Sequence, residues 1–193
     1  MILSDKTILE KIKQKEITIT PNPTMEQIQP SSIDLRLGNE FLLPHIDVPI
    51  DVKNGSPHYE KVNCNILQLP PKSFVLGTTI EKVKLPPNII GRVEGRSSIG
   101  RLGVTIHITA GFIDAGFEGQ ITLEIANLSS NTVYLYENMR ICQIVFEEID
   151  SVPNRVYGEA GNKYQNQEGV TGSMIYYDDD TTNYGGNTQW AST

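Results

Sequence analysis

QPSSIDLRLGNEF, residues 29 to 41, alternates Ile33, Leu35 and Leu37 with Asp34 and Arg36 and halts at Gly38. A period of two sends the aliphatic side chains to one face and the charged ones to the other, the pattern of a half-buried strand. Toward the N-terminus the rhythm is different: Ser4 is placed as an N-cap, and Ile8, Leu9 and Ile12 follow at helical spacing. Toward the C-terminus the alternation returns at Val104, Ile106 and Ile108, at Ile121, Leu123 and Ile125, and at Val133 and Leu135. Turns are marked by Asn54-Gly55, Pro70-Pro71 and Pro86-Pro87, the last leading through a short helical turn into a strand with Ile89, Ile90 and Val93. Many short strands at close spacing predict an all-β domain with one short N-terminal helix, built as a sandwich, jelly roll or barrel.

The chain has 193 residues, 38% hydrophobic and 20% charged, the composition of a globular domain. No apolar run approaches the roughly 20 residues of a membrane span. Sixteen basic against 23 acidic side chains give a net charge of −7, which argues against a nucleic-acid polymer or an anionic membrane as partner. The opening lacks the charged-then-apolar pattern of a secretory leader, and Cys64 and Cys142 are too few for a disulfide framework, so an intracellular, reducing compartment is expected. From Asp150 the composition shifts. Residues 173 to 193, with Asp178 to Asp180, Tyr176, Tyr177, Tyr184 and Trp190, read as a flexible acidic and aromatic tail after a domain spanning 1 to 172, or as a segment that packs on a neighbouring subunit.

Three stretches carry chemistry. Residues 91 to 103 place Arg92, Arg96 and Arg101 with Ser97, Ser98 and four glycines in a chain that is otherwise acidic. Glycines let backbone amides approach an anion, hydroxyls donate, and guanidinium groups grip phosphate oxygens in pairs, so this is either a polyphosphate site or a solvated turn. Residues 109 to 124 set Asp114 among Phe112, Ile113 and Phe117, in a short hairpin bracketed by Gly111, Gly116 and Gly119. With Ile121, Leu123 and Ile125 toward the core, Thr122 and Glu124 share the other face of the next strand, and Glu124 is either an exposed strand residue or half of an acid/base pair with Asp114. Residues 157 to 169, with Lys163 and two tyrosines, read as a lid over phosphates or as a surface loop. His58-Tyr59-Glu60 matches one element of the zinc nucleobase deaminases, but there is no C-x-x-C to complete it, so no zinc is expected.

Taken together, GRSSIGRLG at 95 to 103, TAGFIDAGFEGQITLE at 109 to 124, NKYQNQEG at 162 to 169, QPSSIDLRLGNEF and the opening MILSDKTILEKI resemble the dCTP deaminase branch of the trimeric dUTPase superfamily. The resemblance implies a distorted β-barrel or jelly roll of the dUTPase-like type. It implies a cytoplasmic homotrimer, in host cytoplasm if the chain is viral, with active sites between subunits. The implied substrates are dCTP and dUTP, with Mg²⁺ carried on the phosphates and dTTP as a candidate inhibitor.

The same resemblance assigns roles by position. Glu124 matches the general base and proton shuttle for water attacking C4 of cytosine, and Ser97 and Arg101 match the residues that orient that water and stabilise charge on the pyrimidine. Ala110 matches the segment that holds the water and the base edge, and Thr122 and Leu123 match the strand facing the pyrimidine. Arg96, Ser97 and Ser98, with Ile99, Gly100 and Arg101, match the phosphate cradle. Gln143, Tyr157, Lys163 and Gln167 match further phosphate and lid contacts, and Asp114 matches the carboxylate that receives the deoxyribose 3′-hydroxyl. Members that stop at dUTP show A-H-R-I-D where this chain has Ala110-Gly111-Phe112-Ile113-Asp114, whereas A-G-[FW]-I-D resembles the bifunctional members that continue to dUMP and diphosphate. In those, Asp114 also matches the group that activates water at the α-phosphorus. A deaminase releasing dUTP, a dUTPase alone, and a scaffold that binds nucleotide or a protein without turnover are the alternatives.

Overall fold

The computed structural model describes residues 1–45, 49–52, 57–159 and 161–178. It opens on helix α1, Asp5–Lys13, whose N-cap Ser4 accepts from Thr7 N–H, with Asp5 in the first turn and Lys11 and Lys13 in the last to complement the helix dipole. The strands follow: β1 Thr18–Thr20, β2 Ile28–Gln29, β3 Ser32–Pro44, β4 Tyr59–Asn63, β5 Ile66–Leu69, β6 Phe74–Lys84 and β7 Ile89–Gly95. A single helical turn α2, Ser97–Gly100, precedes β8 Val104–Thr105, β9 Phe112–Ile113, β10 Glu118–Asn127, β11 Val133–Tyr136 and β12 Arg140–Glu148. The expectation of a mainly β domain with a short N-terminal helix therefore holds.

All the pairings among these strands are antiparallel, in the order β8-β10-β6-β3-β12-β7-β9, with β1 on β6 and both β2 and β4 on β3. Strands β5 and β11 form a separate pair. The order itself requires curvature. In a flat sheet β10 and β9 would stand five strand spacings apart, about 24 Å at roughly 4.8 Å each. Yet only residues 114 to 117 join them, a link that reaches at most about 18 Å fully extended. The sheet therefore curls into a distorted barrel whose two ends are stitched by one turn.

The interior is aliphatic. Leu35, Leu37 and Phe41 of β3 meet Leu123 and Ile125 of β10 and Ile144 and Phe146 of β12, and Ile8 of α1 joins the same cluster. Each such side chain, fully removed from water, contributes roughly 1.5–3 kcal/mol.

Four local expectations are corrected. β3 is not half-buried: Asp34 is 1% exposed, so its polar face is covered as well. Residues 104 to 108 are not one strand, because the chain leaves the sheet after Thr105 and Ile108 is 57% exposed. Residues 111 to 119 are not a hairpin, since β9 pairs with β7 whereas β10 pairs with β6 and β8. The segment from Pro86 to Asn88 is a hydrogen-bonded turn closed by Ile89 N–H to the Pro86 carbonyl, not a helical one. The Asn54-Gly55 turn, Tyr184 and Trp190 lie outside the described residues.

Candidate active site

Alternation along β10 fixes the first wall. Ile121, Leu123 and Ile125 go into the core, which leaves Thr122 and Glu124 half-buried on the opposite face. The second wall is the chain from 106 to 114, which crosses from one end of the sheet path to the other. Glu124 ties the two together: its Oε2 accepts from the N–H groups of Ile108 at 2.7 Å and Thr109 at 3.1 Å. Among the described residues Oε1 has no partner, so the carboxylate is oriented through one oxygen and open through the other.

Gly111 explains why the second wall runs so close to β7. Val93 N–H donates to its carbonyl at 2.7 Å, and a Cβ on Gly111 would stand 2.9 Å from the Val93 carbonyl oxygen and 3.1 Å from Cε1 of His107. The following turn is equally specific: Gly116 has φ +92°, and a Cβ there would lie 2.3 Å from Val156 Cγ1. This turn leaves Asp114 exposed and Phe112 on the rim with 60% of its surface in solvent.

The third wall is the segment beyond Tyr157. It is fastened along β10 by Asn166 N–H to the Glu118 carbonyl at 2.7 Å, Gln120 N–H to the Gln167 carbonyl at 3.1 Å and Thr171 N–H to Thr122 Oγ1 at 3.2 Å. Tyr157 packs its ring 5.9 Å from that of Phe117, and burial, with the Asp114 carboxylate adding to it, pushes its phenol pKa up, which keeps the hydroxyl a donor. Tyr59 is likewise pushed up by burial, and its hydroxyl accepts from Ser173 N–H. Ser173 begins the segment expected as a tail. Its described part, through Asp178, runs beside the site: Met174 N–H donates to the Tyr164 hydroxyl at 3.1 Å, and Lys163 Nζ binds the two Asp178 oxygens at 2.6 and 2.7 Å. Residues 179 to 193 lie outside the described residues.

These walls enclose a cavity of about 360 Å³. Of the candidates read from sequence, Ala110, Phe112, Asp114, Thr122, Glu124, Tyr157 and Gln167 line it. Tyr59 and Tyr164 line it too and were not singled out, because an isolated tyrosine in an edge strand or a loop carries no pattern. Leu123 points into the core, so only its main chain is available to a ligand.

The arginine-serine stretch lies elsewhere on the chain. Gly95 ends β7 and Arg96 caps α2, whose Ile99 is buried while Ser97, Ser98, Gly100 and Arg101 face solvent. Arg96 directs Nε to Asp34 Oδ2 at 3.3 Å and Nη1 to the Arg140 carbonyl at 3.1 Å. Gln143 of β12 receives Ser32 Oγ–H on its Oε1 at 3.1 Å. Arg92 does not belong to this group: it sits within β7 and is ion-paired with Glu147 and, at 3.7 Å, with Glu94. Arg96 to Arg101, Gln143 and Lys163 are all absent from the cavity lining. The chain thus presents two separate surfaces, a cavity holding two carboxylates and an outer turn holding the cations.

The dCTP deaminase-like family profile matches residues 2–149. The dUMP-forming dCTP deaminase of Dictyoglomus turgidum is 45% identical over 92% of this chain and 96% of its own. That of Persephonella marina is 48% identical over 93% of this chain and all of its own, and the dCTP deaminase of Haloarcula marismortui is 44% identical over 92% and 96%. Among solved structures, the 2′-deoxycytidine 5′-triphosphate deaminase of Agrobacterium tumefaciens superposes with a TM-score of 0.62 at 22% identity, covering 76% of this chain and 47% of that one. The chain thus spans about half the length of that protein, and the likeness is one of fold.

Proposed function

The chain belongs to the dCTP deaminase-like family, and from that premise we propose that it is a hydrolase that converts dCTP to dUTP and carries the product on to dUMP and diphosphate. The observation that carries this reading is the state of Glu124. Its carboxylate is clamped through Oε2 by two backbone donors, with Oε1 open to a nucleoside-sized cavity that also holds Asp114. A base oriented without being consumed by its support is what water activation at C4 of cytosine needs. Oε1 takes a proton from the attacking water and returns it toward the departing amine, so cytosine and water leave as uracil and ammonia. Ser97 and Arg101 steady the water and the charge on the ring. Ala110 and the main chain at Thr122 and Leu123 supply the edge that reads the pyrimidine.

Asp114 takes the second carboxylate role: it receives the 3′-hydroxyl and activates water at the α-phosphorus, with diphosphate leaving. The dUMP-forming relatives at 45 to 48% identity support this second step. So does the fit of Gly111, where the close approach of Val93 leaves no room for the larger residue of the Ala-His-Arg-Ile-Asp pattern. Arg96, Ser98, Ile99, Gly100, Gln143, Tyr157, Lys163 and Gln167 bind the triphosphate. Among the described residues no three His, Cys, Asp or Glu side chains converge as a metal site. In this reading Mg²⁺ is carried by the triphosphate, where it would neutralise phosphate charge.

Because the cations of one protomer lie outside its own cavity, the proposed working unit is a homotrimer in which one subunit's Arg96 to Arg101 turn completes another's cavity. A cytoplasmic setting with nucleotides as partners belongs to the same proposal; among the described residues no helix is long and apolar enough to cross a membrane.

Incubating the protein with dCTP and Mg²⁺ and separating the products tests the activity. dUMP is expected, dUTP alone would reduce the reading to the first step, and unaltered dCTP would overturn it. Mixing separately inactive Glu124→Gln and Arg101→Ala proteins tests the shared site. Random reassembly gives about a quarter of sites with both residues intact if they come from different subunits, and no recovery if they come from one.

A further inference from the structure

Ser32, Asp34 and Arg36 alternate with the core residues of β3 and so share its other face, and Gln143 stands opposite Asp34 in the sheet with Glu94 beyond it. Asp34 is almost wholly buried, yet one oxygen, Oδ2, serves two guanidinium groups: Arg96 through Nε at 3.3 Å and Arg140 through Nη1 at 3.2 Å. Arg140 has a second anchor, the Glu26 carbonyl at 2.6 Å from the same Nη1. Arg96 is pinned on its inner side by Asp34 and the Arg140 carbonyl, and among the described residues its Nη2 has no partner. Two positions earlier on the same face, Ser32 Oγ–H occupies Gln143 Oε1, which leaves the amide nitrogen as the end that donates outward.

We propose that Asp34 is a positioning residue for triphosphate binding, holding the Arg96 guanidinium with its donors outward beside Ser97 and Ser98, and that Ser32 sets the amide of Gln143 in the same way. The inference rests on the reading of Arg96 and Gln143 as triphosphate contacts. A buried carboxylate shared by two arginines is not what stability alone selects, since apolar packing of the same volume is commonly as stable or more so. An arginine that must meet a polyanion does need its long, flexible side chain fixed beforehand, because the entropy of ordering it would otherwise be lost on binding.

The test is a double-mutant cycle between Asp34→Asn and Arg96→Ala on the intact assembled protein, reading kcat and KM for dCTP. Asp34→Asn is expected to raise KM about tenfold, the scale of one charge-assisted hydrogen bond to phosphate, with kcat within about twofold, the split expected where a binding contact alone is lost. Arg96→Ala raises KM at least as much, and adding Asp34→Asn to it has no further effect. Ser32→Ala raises KM by about threefold, the scale of a neutral hydrogen bond. Multiplying effects in the double variant, or an unchanged KM in Asp34→Asn while Arg96→Ala is impaired, would overturn the positioning role and leave the triphosphate reading intact. An unchanged KM in Arg96→Ala would instead overturn the assignment of Arg96 itself, and the proposal with it. Should Asp34→Asn fail to fold, the unaltered protein decides by NMR, with the Arg96 Nε–H signal identified by its loss in Arg96→Lys. Slow exchange with water before dCTP is added is expected, and exchange at the rate of a free arginine would overturn the proposal.

Discussion

Replacing Glu124 by Gln separates the two things its carboxylate does. Oε2 ties Ile108 and Thr109 to β10 through bonds of 2.7 and 3.1 Å, and a Gln side chain of the same length keeps an oxygen for both donors. What the tie loses is charge assistance, a difference of about 1 kcal/mol per bond when fully buried. Both donors are in exposed backbone, so a total of about 1 kcal/mol is expected, a fall of about 2–4 °C in melting temperature for a chain of this size. The other oxygen is replaced by an NH₂ group that donates and takes up no proton. Deamination should therefore fall by about 10²–10⁴ in kcat, the contribution of a positioned base, with KM for dCTP little changed. Ammonia release at saturating dCTP measures the rate, and thermal denaturation measures the tie. A variant that deaminates within about tenfold of the unaltered protein, less than a positioned base supplies, would place the base elsewhere, and one that melts far lower would make Glu124 chiefly a structural tie.

Gly111→Ala puts a Cβ 2.9 Å from a backbone carbonyl that cannot move without β7, so a loss of about 1–3 kcal/mol is expected. A displaced Phe112 and Asp114 should lower the share of dUMP among the products, and an unchanged melting temperature would show that the wall relaxes freely. Asp178→Asn releases Lys163 from a pair whose side chains are 31% and 42% exposed. Its stability effect should be negligible, but removing a competitor for the ammonium should lower KM for dCTP by up to about fivefold; an unchanged KM would show that triphosphate reaches Lys163 regardless. Lys61 beside Glu40, and Lys84 with Lys82 beside Glu118, hold both carboxyl pKa values below the ordinary glutamate value. Depressed native values contribute stability that is present above the unfolded pKa and lost as pH falls through the native one. Melting temperature should therefore drop on acidification below about pH 4.3, the unfolded glutamate value, and less steeply in Lys84→Met, an outcome that an identical slope would contradict.

What the sequence discloses here is local. The period of two along Ile121, Leu123 and Ile125 gives the face of Glu124, and the glycines at 111 and 116 mark where chain must pass close to chain. Partners are not local. The same rhythm at Val104, Ile106 and Ile108 looks like strand, yet the residues after Thr105 cross the barrel mouth because β8 and β9 belong to opposite ends of the sheet path. The cavity's carboxylates are close in sequence, so their convergence was legible, as were Ala110, Phe112 and Thr122. Arg92 was misgrouped because proximity along the chain cannot tell a residue inside a strand, neutralised by Glu147 across the sheet, from one in the turn beyond it. The burial of Asp34 is not legible because a period of two gives the faces of a strand but not what covers them.

The polar face of β3 shows how one strand serves both fold and ligand. Ile33, Leu35 and Leu37 bury in the barrel, while Asp34 and the neighbouring Glu81, at 1% and 0% exposure, are carboxylates that the interior must satisfy in full. Glu81 accepts from Gln27, from Arg36 Nε at 2.6 Å and from Arg36 N–H at 2.8 Å, so its bonds close on β3 itself and on the turn beside it. Asp34 differs, because one of its two arginines sits at the head of α2 on the outer surface. Charge that is buried only to bind other buried charge is a costly way to hold strands together. Charge that is buried so that a guanidinium beside the proposed triphosphate contacts stays still has a purpose beyond the fold. By this argument Glu81, whose bonds return to β3 and the turn beside it, serves the fold, and the proposed positioning role falls to Asp34, although the two stand on adjoining strands and are equally hidden from water.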